Sequence, residues 1–138
     1  MAKLRVFIVD DSVLIRRLLT VSLGEDPTLE VVGHAVNGKL ALPKIADLRP
    51  DVVIMDVEMP EMNGVEAVKA LRASGFKAPI IMFSTVTSLA SEATIAALSA
   101  GASGYVNKPN QGQNAEQAVQ EIKASLIPKI KAVVAGKR

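Results

Sequence analysis

"VVIMDVEMPEMNG", residues 52–64, opens as a strand and closes as something else. Its first four residues are apolar and three of them are β-branched, the composition of a strand buried on both faces. It then sets Asp56, Glu58 and Glu61 within six positions, just where the apolar run stops. Acid gathered at the mouth of a sheet needs a counter-charge, and a divalent metal ion is the candidate that the surrounding residues support.

The strand pattern recurs along the chain. "LRVFIV" (4–9), "EVVGHAV" (30–36), "DVVIM" (51–55), "APIIMF" (78–83) and "GYVN" (104–107) are short β-rich runs separated by segments of helical period. In residues 13–23, Leu14 with Leu18 and Ile15 with Leu19 should face inward, and Arg16, Arg17 and Thr20 outward. Further helices are predicted over 38–48, 64–73 and 88–100, the last with an Ala stripe at Ala93, Ala96, Ala97 and Ala100. A fifth should present Ala115, Ala118, Val119 and Ile122 on one face, with Pro128 kinking or restarting it before a basic end. Five β-α units predict an α/β fold: a doubly wound, five-stranded parallel sheet with helices on both faces. Such sheets most often wind in the order 2-1-3-4-5, and their ligands sit beyond the carboxyl ends of the strands, where strands one and three part. Asp10 and Asp11 follow strand one, Asp56 strand three, Ser84 strand four and Lys108 strand five, so one sheet edge should collect three carboxylates, a hydroxyl and an ammonium.

At 138 residues the chain should form a single domain that buries roughly two-thirds of the surface its unfolded form exposes. Hydrophobic residues at 49% exclude disorder, and no apolar run reaches the ~18 residues of a membrane span, so a soluble, cytoplasmic protein is expected. The absence of Cys fits that compartment. A net charge of +2 with scattered Lys and Arg, and aromatics at only 3%, argue against nucleic-acid binding.

Three adjacent carboxylates either take up protons or bind a cation. Oxygen ligands without His or Cys select Mg²⁺, which keeps several waters and suits a phosphate partner. With Lys108 as a point charge and Ser84 as a hydrogen-bond donor, such a site would stabilise a phosphoryl group in transfer. The nucleophile must then be a carboxylate, and Asp56, between the acid pair and the Lys, is central. Each residue alone has a plainer explanation. Asp11 or Ser12 could cap the first helix, Asp56 could be a turn residue, Ser84 a cap of the fourth helix, and Lys108 a solvated lysine. Glu61 reads as surface, and the lone His34 as structural. Their meeting at one sheet edge favours the joint explanation.

"VDDS" (9–12), "MDVEMPEMNG" (55–64), Ser84 and "GASGYVNKP" (101–109) together resemble the receiver domain of bacterial response regulators, whose fold is flavodoxin-like (CheY-like), over residues 4 to 125. The resemblance implies that Asp10 and Asp11 hold Mg²⁺, that Asp56 is phosphorylated by a histidine kinase, and that Glu58 lends its backbone carbonyl to the metal. It further implies that Ser84 and Lys108 contact the phosphoryl group, that Tyr105 is an aromatic switch residue, and that the Lys108–Pro109 bond is cis. "EVVGHAVNG", "DVEMP" and "STVTSLASEATIAALSAGA" look most like the receiver half of the chemotaxis protein-glutamate methylesterase family, in which a catalytic domain follows. No G-x-S-x-G motif occurs here, so a regulatory domain rather than an esterase is expected. Residues 1–125 would be the receiver and 126–138 a helical extension or linker, with a chemotaxis-type kinase as partner. A stand-alone receiver is the alternative. A haloacid dehalogenase-type phosphatase would need Asp-x-Asp after strand one and a cap domain. A flavodoxin-like electron carrier would need a hydroxyl-rich phosphate loop where "VDDSVL" stands.

Overall fold

The computed structural model describes residues 2–85, 87–110 and 112–136. Five strands, β1 (Leu4–Val9), β2 (Leu29–Ala35), β3 (Val52–Asp56), β4 (Ile80–Ser84) and β5 (Gly104–Asn107), alternate with five helices. The helices are α1 (Val13–Gly24), α2 (Gly38–Leu48), α3 (Gly64–Ala73), α4 (Ser88–Ala100) and α5 (Ala115–Gly136). The strands pair in parallel in the order β2-β1-β3-β4-β5, so β1 and β3 are neighbours whose chains leave in opposite directions.

Alternation along the central strands divides the core into two layers. Val6, Ile8, Val52, Ile54, Ile81 and Phe83 face α1 and α5. Phe7, Val9, Val53, Met55, Ile80 and Met82 face α2, α3 and α4. Because both faces are covered, β3 and β4 are buried throughout, which is why their sequences are continuous apolar runs. The strand limits fall within one or two residues of the expected ones, and Asp56 and Ser84 prove to be the last residues of β3 and β4 rather than the first of the following turns.

Three local expectations are corrected. Leu14 is 62% exposed in the first turn of α1, where it borders an open cavity with Pro109 and Asn110 beyond β5, leaving Leu18, Leu19 and Leu23 to seat the helix. Ala96 and Ala115 are likewise exposed, while Ala97, Ala118 and Ile122 carry the buried faces of α4 and α5. Helix α5 does not restart at Pro128; it runs from Ala115 to Gly136 with that proline inside it. Leu126, Ile127 and Ile130 lie in the core on both sides of Pro128, which itself faces solvent. Burial on one face therefore holds together a helix whose exposed face lacks one backbone donor. Lys123 and Lys131 tie α5 to Glu25 and Asp26 just after α1, at 2.7 and 3.1 Å.

Candidate functional site

Asp10 follows β1 and is 1% exposed. Its Oδ1 accepts the Ser12 N–H at 2.9 Å, while Ser12 Oγ accepts from Ile15 N at 3.2 Å. Ser12 is thus the cap of α1, which frees Asp11 from that duty and leaves its carboxylate exposed at the site. Arg16, expected to face outward, instead donates from Nη1 to the Asp10 carbonyl at 2.8 Å and fixes the loop from above. A charge on the polar side of an amphipathic helix gave no hint of that contact, since the acceptor is backbone.

Asp56 ends β3 at 5% exposure, and one oxygen from each of Asp10, Asp11 and Asp56 lies within 4.8 Å of the others. Lys108, beyond β5, places Nζ 3.0 Å from Asp10 Oδ2 and 3.1 Å from Asp56 Oδ1. Asp10 Oδ2 is fully buried, and the single ammonium contact leaves it acceptor capacity to spare. Burial pushes the Asp56 carboxyl up to about 7, the neighbouring Asp10 charge adds to the rise, and Lys108 opposes it. Asp10 is raised for the same first reason, against Lys108 and the Ser12 N–H. Burial works against the Lys108 ammonium as well, but the two carboxylates outweigh it and raise its pKa.

One ammonium therefore does not neutralise three carboxylates. A buried oxygen with acceptor capacity to spare, a carboxyl that burial holds toward its neutral form and an all-oxygen donor set make an acidic pocket able to hold a hard cation. It opens into a cavity of about 460 Å³ lined by Asp11, Asp56, Glu58, Ser84, Thr85 and Lys108, among others.

The loop from β3 to α3 is held by its own sequence. Asn63 and Glu66 form a reciprocal capping box at the start of α3, with bonds of 2.9 and 3.1 Å. Gly64 donates to the Val57 carbonyl at 2.9 Å, and a Cβ on Gly64 would collide with the Asp56 carbonyl oxygen. Only glycine lets α3 begin this close to Asp56. Glu58 is exposed at the cavity rim; Glu61 is an exposed turn residue with φ of 68°.

Ser84 is 4% exposed, and its hydroxyl lies 3.3 Å from the Thr94 hydroxyl on α4, so it does not cap that helix. Tyr105 is 52% exposed and borders a second cavity, of about 180 Å³, that also touches Ser84, Thr94 and Ile95. Thr94 was hidden in an alanine-rich helix whose period marks only the side facing the sheet. The Lys108–Pro109 bond is trans, not cis, the isomer favoured by about 0.5–1 kcal/mol in X-Pro bonds. His34 is exposed on the edge strand β2, away from these groups.

Residues 6–120 match the response regulator receiver domain family. Over 134 residues, 97% of this chain, it is 54% identical to a protein-glutamate methylesterase/protein-glutamine glutaminase of Nocardioides sp., and covers 37% of that protein. A namesake from Trichodesmium erythraeum is 45% identical over 130 residues, again with 37% of its length covered. The chain thus spans little more than a third of the curated relatives it matches. Among solved structures, the response regulator domain of Thermotoga maritima CheB superposes with a TM-score of 0.82 at 35% identity, covering 96% of this chain and 97% of that one. The chemotaxis protein CheY4 of Vibrio cholerae does so with a TM-score of 0.71 at 37% identity, with 91% and 100% covered. With its β2-β1-β3-β4-β5 sheet and the acids gathered where β1 and β3 part, the chain belongs to the response regulator receiver domains, the phosphoacceptor modules of two-component signal transduction, and is similar to the receiver portions of chemotaxis methylesterases.

Proposed function

We propose that Asp56 is the phosphoacceptor, that Asp10, Asp11 and Asp56 hold Mg²⁺ together with the backbone carbonyl of Glu58, and that the donor is a phosphohistidine on a chemotaxis-type histidine kinase. The observation that carries this reading is the position of Asp56: flanked by Asp10 and Lys108, it borders a cavity open to a donor. In the transfer, an Asp56 oxygen forms a bond to phosphorus as the P–N bond breaks, and the departing electron pair stays on the imidazole nitrogen. Lys108 Nζ, already 3.1 Å from Asp56 Oδ1, moves with the carboxylate to meet the phosphoryl oxygens, and Ser84 Oγ donates to another. Bound Mg²⁺ would supply the remaining charge neutralisation. Val57, 1% exposed, and the Gly64 contact keep the strand end fixed while this happens.

The chain itself acts as a regulatory phosphoacceptor in the cytoplasm and not as the esterase. Similarity to methylesterases of which it spans 37% supports residues 1–125 as the receiver and 126–138 as a helical extension that packs on the same core through Leu126, Ile127 and Ile130 and leads toward a methylesterase domain that phosphorylation regulates. A stand-alone response regulator is the second reading, supported by the similarity to CheY4 at 37% identity. Incubation with a small phosphoryl donor and Mg²⁺, followed by intact-mass analysis, should show one added phosphoryl group that a chelator abolishes. Labelling that persists in chelator would contradict the metal's part in it.

A further inference from the structure

Ser84 is the one candidate phosphoryl contact whose hydroxyl is already engaged elsewhere in the molecule. Its partner is Thr94, 3.3 Å away on α4, and both residues are nearly fully buried, at 4% and 6% exposure. We infer that the Ser84–Thr94 hydroxyl pair is a latch that holds α4 in the unphosphorylated protein and opens when Ser84 turns to a phosphoryl group on Asp56. The inference rests on the proposed role of Ser84 and adds Thr94 as the positioning residue through which that role reaches a helix.

Three features support the latch. The bond is long, so a shift of a few tenths of an ångström takes it beyond hydrogen-bonding range. Ser84 borders both the 460 Å³ cavity that Asp56 and Lys108 line and the 180 Å³ cavity that Thr94 lines.

Helix α4 is also held unevenly. Among its described side chains only Thr94 and Ala97 are buried. Beyond its C-terminal end it is anchored by Arg72, whose Nε donates to the Gly101 carbonyl at 3.0 Å and whose Nη1 donates to the Phe76 and Ala78 carbonyls at 2.7 and 2.8 Å. Opening the latch therefore loosens the part of α4 nearer the site while Arg72 keeps the other end in place. The space beside Thr94 is also the space that the exposed Tyr105 ring borders, so a shifted α4 changes what that ring can pack against.

The test is a titration of the Mg²⁺-loaded protein with beryllium trifluoride, a phosphoryl mimic, followed by the NMR signals of α4 and Tyr105. If the latch competes with the phosphoryl contact, Thr94→Val removes the competitor and should tighten mimic binding by roughly 2- to 10-fold. Thr94→Ser, which restores a hydroxyl, should return it toward the native value. Thr94→Ala, smaller than valine, must shift the affinity in the same direction as Thr94→Val. In a Ser84→Ala background, Thr94→Val should no longer tighten mimic binding, because the Ser84–Thr94 bond is already gone. A threonine that only fills space would give weaker or unchanged binding whether or not Ser84 is present. If Ser84→Ala weakens mimic binding and Thr94→Val leaves it unchanged, the latch is overturned while the role of Ser84 stands. If Ser84→Ala leaves mimic binding unchanged, the role of Ser84 fails and the latch falls with it.

Discussion

At Asp56 the fold works against its own charge. A carboxyl raised from the model-compound value of 3.8 to about 7 prefers its protonated form in the folded protein. Between these values the folded state binds more protons than the unfolded one, so stability is fully present below about pH 3.8 and is lost as pH rises through about 7. Metal-free Asp56→Asn should therefore melt several degrees above the native protein at pH 8, and the gap should close toward pH 4 in thermal denaturation. A gap that widens on acidification would reverse the sign of the effect. Asp11, exposed and not a helix cap, is the smallest of the charges acting on Asp10 and Asp56, so Asp11→Ala should weaken Mg²⁺ binding roughly tenfold or more in a titration while changing the melting temperature of the metal-free protein little. The positions of Asp10, Asp11 and Asp56 were legible in the sequence because they stand where buried apolar runs end, and that of Lys108 because it follows the last strand. Arg16 and Thr94 were not, because their partners, a backbone carbonyl and a hydroxyl from another element, leave no trace in local pattern.

Helix α5 shows where a local rule yields to packing. Proline in a helix interior costs about 3 kcal/mol relative to alanine, which is why the sequence predicts a kink or restart at Pro128. Leu126, Ile127 and Ile130 are buried around it, and Val133 and Val134 pack against the same core, so continuing the helix recovers more than the lost bond costs. Pro128→Ala should accordingly stabilise the protein by roughly 1–3 kcal/mol, and Leu126→Ala should destabilise it by roughly 2–5 kcal/mol, both measured by urea denaturation. An unchanged midpoint for Leu126→Ala would mean that this part of α5 is dispensable. The exposed Leu14 teaches the same lesson in reverse. Period alone assigns it to the inner face, but in the first turn of α1 it borders an open cavity beside Pro109 and Asn110 rather than the core.

For the molecule as a whole, the alternation of buried strands with amphipathic helices was enough to give the topology, since a parallel sheet covered on both faces leaves few windings open. That topology brings residues 10, 11, 56, 84 and 108 to one sheet edge, and the charges there follow from it. What the sequence could not show is the packing between elements: which hydroxyl holds Ser84, and how Arg72 ties α3 to the turn after α4. The central claim is that Asp56, rather than the neighbouring carboxylates of Asp10 or Asp11, takes the phosphoryl group. Borohydride reduction converts an aspartyl phosphate to homoserine, so phosphorylating the protein in Mg²⁺, trapping it with borohydride and mapping the peptides locates the acceptor. Homoserine at position 56 alone, absent from unphosphorylated protein, is the predicted result; homoserine at position 10 or 11 with Asp56 intact would contradict it.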